Sequence, residues 1–294
     1  MLSDALSRID LYCTACRSFT GKAVQHKLVL VPNEVDGKFV ITGHLDCPNC
    51  GKQYPVLDGV PRFINGVGSP EGLTAQYLDA QYGTINETYW KKLNKFLPGD
   101  RHLDIGCGTG RYSFECARNG FAAGMDVNID SLKLAAAFQR GEEIKYKRKT
   151  RELAEKEEVS DFKPSENVLF ILADAHNPPF EMDSFNSVSA LNVIDSVAHP
   201  LTVLGQADAI LKSGGQLVLS TPYCWDEKGS QEWLETAETS AHDFLRQVLT
   251  GKRLPETGFN YRILKQRKGI PWRLRKHDGL LFTYTVDLIV AEKV

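Results

Sequence analysis

The pattern of apolar and polar positions changes once along the chain, near residue 66. Before it, the strand-like runs Lys27-Leu28-Val29-Leu30-Val31 and Lys38-Phe39-Val40-Ile41-Thr42 flank Pro32 and Asp36-Gly37, which read as turn residues. Gly66-Val67-Gly68-Ser69-Pro70 reads as a linker. After it, apolar runs at 101–105, 121–126, 168–173, 186–191 and 215–220 alternate with stretches of helical composition at 111–119, 129–139 and 200–212. This alternation predicts βαβ units and a mainly parallel sheet, because parallel neighbours need a crossover connection. Two more strand-like runs follow, 258–265 and 281–291, with no clear helix between them. The expected division is a small β domain over 1–65 and an α/β domain over 66–294.

One stretch breaks the rhythm. Residues 140–163 hold eight Lys or Arg and seven Asp or Glu, with the basic part (Lys145, Lys147, Arg148, Lys149, Arg151) ahead of the acidic part (Glu152, Glu155, Glu157, Glu158). Charge of this kind predicts a solvated helical insertion. The functional alternative is a lid or an element that docks a protein partner.

Composition narrows the class. At 294 residues and 42% hydrophobic, the chain can build one large core and a small second one. A net charge of −2 does not fit a chain built to wrap nucleic acid. No run of about 18 apolar residues is present, so no membrane helix is expected. The first residues lack a basic segment followed by an apolar one, so no secretory signal is read and a cytoplasmic location is expected.

Seven cysteines, an odd number with no export signal, argue against a disulfide framework. Four fall in two C-x-x-C pairs, Cys13/Cys16 and Cys47/Cys50, with thirty residues between the pairs. Four thiolates so spaced suit a tetrahedral Zn²⁺, and the gap has room for a β-hairpin. Gly51 follows the second pair, where the chain must turn sharply. His26 and His44 could also ligate but are not required. A domain this short buries little apolar surface by itself, so a metal staple is plausible. Gln53-Tyr54-Pro55-Val56-Leu57-Asp58-Gly59-Val60-Pro61 resembles the zinc-ribbon family that activates several RNA and release-factor methyltransferases as a separate small subunit. The resemblance covers about residues 10–64.

The second constellation is Leu103-Asp104-Ile105-Gly106-Cys107-Gly108-Thr109-Gly110, between a predicted strand and a predicted helix. Glycines there allow a tight turn and close approach of backbone to a ligand. The spacing D-x-G-x-G-x-G differs from the G-x-G-x-x-G dinucleotide fingerprint. It resembles class I methyltransferases, in which this turn holds the amino-acid end of S-adenosylmethionine. Gly124-Met125-Asp126-Val127-Asn128 ends the next strand, where an acid can accept from both ribose hydroxyls. Ala173-Asp174-Ala175 matches the family's adenine site. The resemblance implies cofactor contacts from Asp104, Gly106, Gly108, Gly110, Asp126, Val127, Asp174, Ala175 and Asn192. It also implies a Rossmann-like, seven-stranded mixed sheet over residues 71–294.

The acceptor side is less marked. Asp195, Tyr223, Trp225 and Asp226 follow the fourth and fifth strands, where the transferred methyl must emerge. The runs 191–195 and 220–225, with Trp233 and Ile270-Pro271-Trp272-Arg273-Leu274-Arg275, resemble methyltransferase domains acting on small imidazole substrates. That resemblance implies a small nitrogen nucleophile. Two alternatives stay open: an rRNA or tRNA methyltransferase whose ribbon steers the substrate, and a non-catalytic adaptor using a vestigial cofactor fold. The RNA reading calls for a basic face continuous with the pocket mouth.

Overall fold

The computed structural model of the chain describes residues 5–17, 25–70, 72–96, 100–152, 154–225 and 240–294. Four short antiparallel strands, β1 (Val29–Asp36), β2 (Phe39–Asp46), β3 (Gln53–Leu57) and β4 (Val60–Pro61), form a sheet in that order. Pro32 lies within β1 and does not form a turn. It sits on an edge strand where the register slips between Pro32 and Glu34, a place that tolerates the missing N–H.

The larger sheet follows helices α1 (Leu73–Tyr82) and α2 (Glu87–Leu93). Its strands are β5 (Asp100–Ile105), β6 (Gly120–Asp126), β9 (Val168–Leu172), β10 (Phe185–Leu191), β11 (Leu211–Thr221), β12 (Tyr261–His277) and β13 (Leu280–Lys293). The spatial order is β12-β13-β11-β10-β5-β6-β9. The five strands from β11 to β9 are parallel, and β13 and β12 add as an antiparallel hairpin. Every residue of β9 is buried, as a parallel strand covered on both faces requires. The crossover helices are α3 (Arg111–Cys116), α4 (Ile129–Gln139) and α5 (Pro200–Ile210), and α6 (Ala241–Leu249) precedes the final hairpin. Asn128 caps α4 by accepting from Ser131 N, and Pro200 opens α5, where its missing N–H costs nothing.

The sheet separates two apolar cores. Residues of α5, α6 and the N-terminal sheet pack on one face, and residues of α1 to α4 on the other. The chain runs from β5 outward to β6 and β9, then returns to β10 on the other side of β5. That reversal opens a crevice at the carboxyl ends of β5 and β10, where open α/β sheets bind ligands.

Two further expectations change. The charged stretch is a hairpin, β7 (Lys145–Lys149) and β8 (Glu155–Val159), and not a helix. The basic strand lies opposite the acidic one, with Lys147 against Glu157 and Lys149 against Glu155. Cross-strand attraction and the inward turn of Tyr146 favour this over a helix. The linker is also part of the structure: Val67 N donates to Val127 O, and Ile129 N donates to Val67 O. Among the described residues, no helix is long and apolar enough to cross a membrane.

Candidate functional site

The crevice holds a cavity of about 390 Å³, within the range of small-ligand sites. The glycine turn forms one wall. Gly106 and Gly108 have φ of 71° and 56°, in the left-handed region. A Cβ on Gly106 would stand 2.3 Å from Val193 Cγ2, and one on Gly108 would stand 2.7 Å from Gln81 Nε2. Bare backbone therefore lines the cavity here. Gly110 lies behind it, against the Phe170 ring.

Asp126 ends β6 at the cavity wall. Its Oδ2 accepts from Gly108 N at 2.7 Å and its Oδ1 from Asn128 N at 2.8 Å. These bonds use two of a carboxylate's roughly four acceptor positions. Burial raises its pKa above the usual carboxylate range, against the pull of the backbone donors.

Asp104 sits deeper and is pushed up to about 6, again by burial. It accepts from Ser113 Oγ at 2.8 Å and from Ser189 Oγ at 2.7 Å. Ser189 Oγ lies 2.9 Å from His102 Nε2, and His102 Nδ1 lies 2.7 Å from Ser187 Oγ. Since Ser189 gives its proton to Asp104, it accepts from His102, which assigns His102 the Nε2–H tautomer. Burial holds that imidazole neutral, with a pKa lowered to about 3.

The opposite wall is aromatic. Tyr89, Trp90 and Trp272 pack with ring centroids 4.8 to 5.5 Å apart. Ser220 Oγ donates to Asn192 Oδ1 at 3.0 Å and lies 2.9 Å from the Tyr89 hydroxyl, which therefore donates to it. Asn192 has φ 57°, a conformation asparagine accepts more readily than most residues. Val193, Ser196 and Val197 continue this wall, and Leu73, Tyr77 and Gln81 of α1 close the cavity.

Of the residues singled out from sequence, Asp104, Gly106, Gly108, Asp126, Val127 and Asn192 therefore meet at one cavity. Asp174 and Ala175 do not line it. They follow β9 beyond its end, where Asp174 Oδ1 accepts from His176 N at 2.9 Å and pairs with His176 Nδ1 at 2.6 Å. Asp195, Tyr223 and Trp225 are also off the cavity wall. Asp195 Oδ2 accepts from Cys224 N at 2.8 Å, and the Tyr223 hydroxyl lies 3.3 Å from His242 Nδ1. Asp226 and Trp233 lie outside the described residues. The α1 residues and the Tyr89–Trp90 pair were missed, because they precede the glycine turn and carry no motif. Trp272 alone was signalled, by the 270–275 run.

Near the N-terminus, the sulfurs of Cys13, Cys16, Cys47 and Cys50 all lie within 4.8 Å of one another. Cys13 Sγ is 3.7 Å from Cys50 Sγ, and Cys16 Sγ is 3.8 Å from Cys47 Sγ. Tetrahedral thiolates about 2.3 Å from Zn²⁺ stand about 3.8 Å apart, so the donor set fits that metal. The Tyr54 hydroxyl, 3.2 Å from Cys13 Sγ, accepts from Ala15 N. Neither His26 nor His44 is in the cluster.

The methyltransferase domain family profile matches residues 97–266, more than half of the chain. The chain belongs to the class I S-adenosylmethionine-dependent methyltransferase family. The 27-O-demethylrifamycin SV methyltransferase of Amycolatopsis mediterranei is 30% identical over 155 residues, 51% of this chain and 50% of that protein. The ubiquinone biosynthesis O-methyltransferase of Dechloromonas aromatica is 26% identical over 161 residues, 52% of this chain and 60% of that protein. The chain thus spans about half the length of the relatives it matches. Among solved structures, a SAM-dependent methyltransferase of Methanosarcina mazei aligns with a TM-score of 0.46 and 20% identity, covering 69% of this chain and 97% of that one. The methyltransferase match runs from just before β5 into β12, so it takes in the glycine turn, Asp126 and the Asn192 wall but not the cysteine cluster.

Proposed function

We propose that the protein transfers a methyl group from S-adenosylmethionine to a small molecule. The observation that carries this reading is a single cavity with two unlike halves. One half is bare glycine backbone with a buried carboxylate, Asp104, and a half-buried one, Asp126, and the other is an aromatic wall. The glycine turn would hold the amino-acid end of the cofactor and Asp126 the ribose, and the loop at Asp174 and Ala175, beyond the cavity wall, would meet the adenine. Bound S-adenosylmethionine supplies a sulfonium methyl, already a good electrophile. The protein's part is then to hold an acceptor in line with it and to keep water out. Tyr89, Trp90 and Trp272 offer flat apolar surface for a compact acceptor, and the Tyr89–Ser220–Asn192 chain fixes polar groups beside it.

Two features favour a small acceptor over RNA. The lining beside the aromatic wall carries no Lys or Arg. The relatives at 30% and 26% identity are named for small molecules. For the accepting atom, the likeness of 270–275 to imidazole methyltransferases supports nitrogen, while one of those relatives is an O-methyltransferase by name. The N-terminal cysteines form a structural Zn²⁺ site in this reading, closed by four protein ligands and so without an open position for chemistry.

The test is incubation with methyl-labelled S-adenosylmethionine and separated metabolite, RNA and protein fractions. Label is expected in the metabolite fraction, and its chemical form gives the accepting atom. Label found only in RNA would overturn the small-molecule assignment.

A further inference from the structure

A second cavity, of about 180 Å³, lies on the far side of α1 from the first. Lys147, Arg148 and Lys149 of β7 and Arg275 and Lys276 of β12 line it, against one carboxylate, Asp79. Asp79 is 2% exposed and clamped by both arginines, with Arg148 Nη2 at 3.0 Å and Arg275 Nε at 2.9 Å. Arg148 also reaches Glu158 at 3.4 Å, and Lys147 reaches Glu155 at 2.9 Å. Among the described residues, the five cations lining the cleft meet three carboxylates, of which Glu158 also pairs with Lys156.

The clamp explains the arginines, since it ties the inserted hairpin and β12 to α1. It does not explain the lysines. Lys149 and Lys276 form no ion pair among the described residues. β12 itself carries seven Lys or Arg and no acid. The start of α1 faces the same cavity. Gly72 enters the helix with φ 74° and without a side-chain cap; Leu73 N donates to Pro70 O at 3.1 Å, and no side chain caps the first turn. A Cβ on Gly72 would stand 3.7 Å from Lys149 Nζ.

We infer that this cleft binds a phosphoryl-type oxyanion of one or two phosphate groups. An excess of cations, lysine ammonium groups outside any ion pair among the described residues and a helix start with no side-chain cap converge on one small cleft, and each favours an anion. Leu73, Tyr77 and Gln81 face the cofactor cavity, while Gly72, Ala75 and Asp79 face the cleft. A helix about 10 Å across separates the two, so a compact acceptor cannot fill both. The anion belongs either to a separate phosphorylated compound or to the backbone of an extended ligand such as RNA.

The experiment is calorimetry on the full chain with inorganic pyrophosphate and with a short single-stranded oligoribonucleotide. The same titrations are run on a Lys149→Gln/Lys276→Gln variant. Neither lysine belongs to the Asp79 clamp, so the variant should keep the wild-type unfolding midpoint. Pyrophosphate should bind the wild type, and the variant should bind it at least tenfold more weakly. If the oligonucleotide also binds, with steep salt dependence lost in the variant, the phosphate is a nucleic-acid backbone. If only pyrophosphate binds, a small phosphorylated compound is the source. No pyrophosphate binding at millimolar concentration, or equal affinity in the variant, overturns the inference whatever the outcome for methyl transfer.

Discussion

Asp104 and Asp126 share one cavity, and desolvation makes each more costly as an anion despite the donors each already has. For Asp104 this has a measurable consequence. Its folded pKa is about 6, above the unfolded value of 3.8. Its contribution to stability is therefore full below the unfolded value and is lost as pH rises through about 6. The ammonium group of S-adenosylmethionine favours the ionised form, so cofactor affinity should fall as pH drops from 7 to 5. The limit is about tenfold per pH unit. In Asp104→Asn this step should flatten, and the unfolding midpoint should lose less on going from pH 5 to pH 8 than that of the wild type. An unchanged step in binding would remove Asp104 from the cofactor site. Asp195 acts differently in this account. It holds Cys224 N and so positions the loop after β11, next to Ser196 on the cavity wall. Asp195→Asn should lower kcat while leaving S-adenosylmethionine affinity within about twofold, a loss of less than about 0.5 kcal/mol. Turnover equal to the wild type would leave it a loop brace only.

Between elements, the N-terminal segment that carries the first cysteine pair meets the loop after β9 directly. Tyr12 N donates to Pro179 O, Asn177 Nδ2 donates to Thr14 O, and Arg17 donates to Pro178 O. Thr14 lies inside the first C-x-x-C pair, so the cysteine cluster is tied to the segment that follows Asp174 and Ala175. Cys47→Ser should lose the metal, since binding and local folding are coupled. It should also speed amide exchange over 173–180 and weaken cofactor binding several-fold. Metal loss with unchanged exchange there would contradict this tie. The inserted hairpin shows where charge pattern misleads. Its run Lys145-Tyr146-Lys147-Arg148-Lys149 alternates outward and inward positions, a period-two signal hidden by the high charge. The basic and acidic halves attract across strands as well as along a helix, so sign order alone does not select between them.

At the scale of the whole molecule, much of the fold was legible because parallel strands need unbroken apolar runs. Six of the residues that the motifs mark as expected cofactor contacts meet at one cavity. Position within a motif says what a residue touches locally, and the strand-to-turn geometry carries that over reliably. The aromatic wall was not legible. It joins α2 to β12 through Tyr89, Trp90 and Trp272, the two tryptophans 182 residues apart in the chain. Only the closing of the sheet by β12 and β13 brings them together. This long-range contact should be costly to break. Trp272→Ala should destabilise the protein by about 3–5 kcal/mol, as for large-to-small changes in a core, and an unfolding midpoint near the wild type would show that the wall is not packed.

The central claim is that this cavity holds S-adenosylmethionine with Asp126 on its ribose. The most direct measurement is isothermal titration of the purified protein, wild type and Asp126→Ala, with S-adenosylmethionine. One site per chain is predicted for the wild type. Loss of a charge-assisted pair should weaken the variant by about 1.5–3 kcal/mol, roughly ten- to a hundredfold or slightly more. A wild type that does not bind, or a folded variant that binds with equal affinity, would contradict the account.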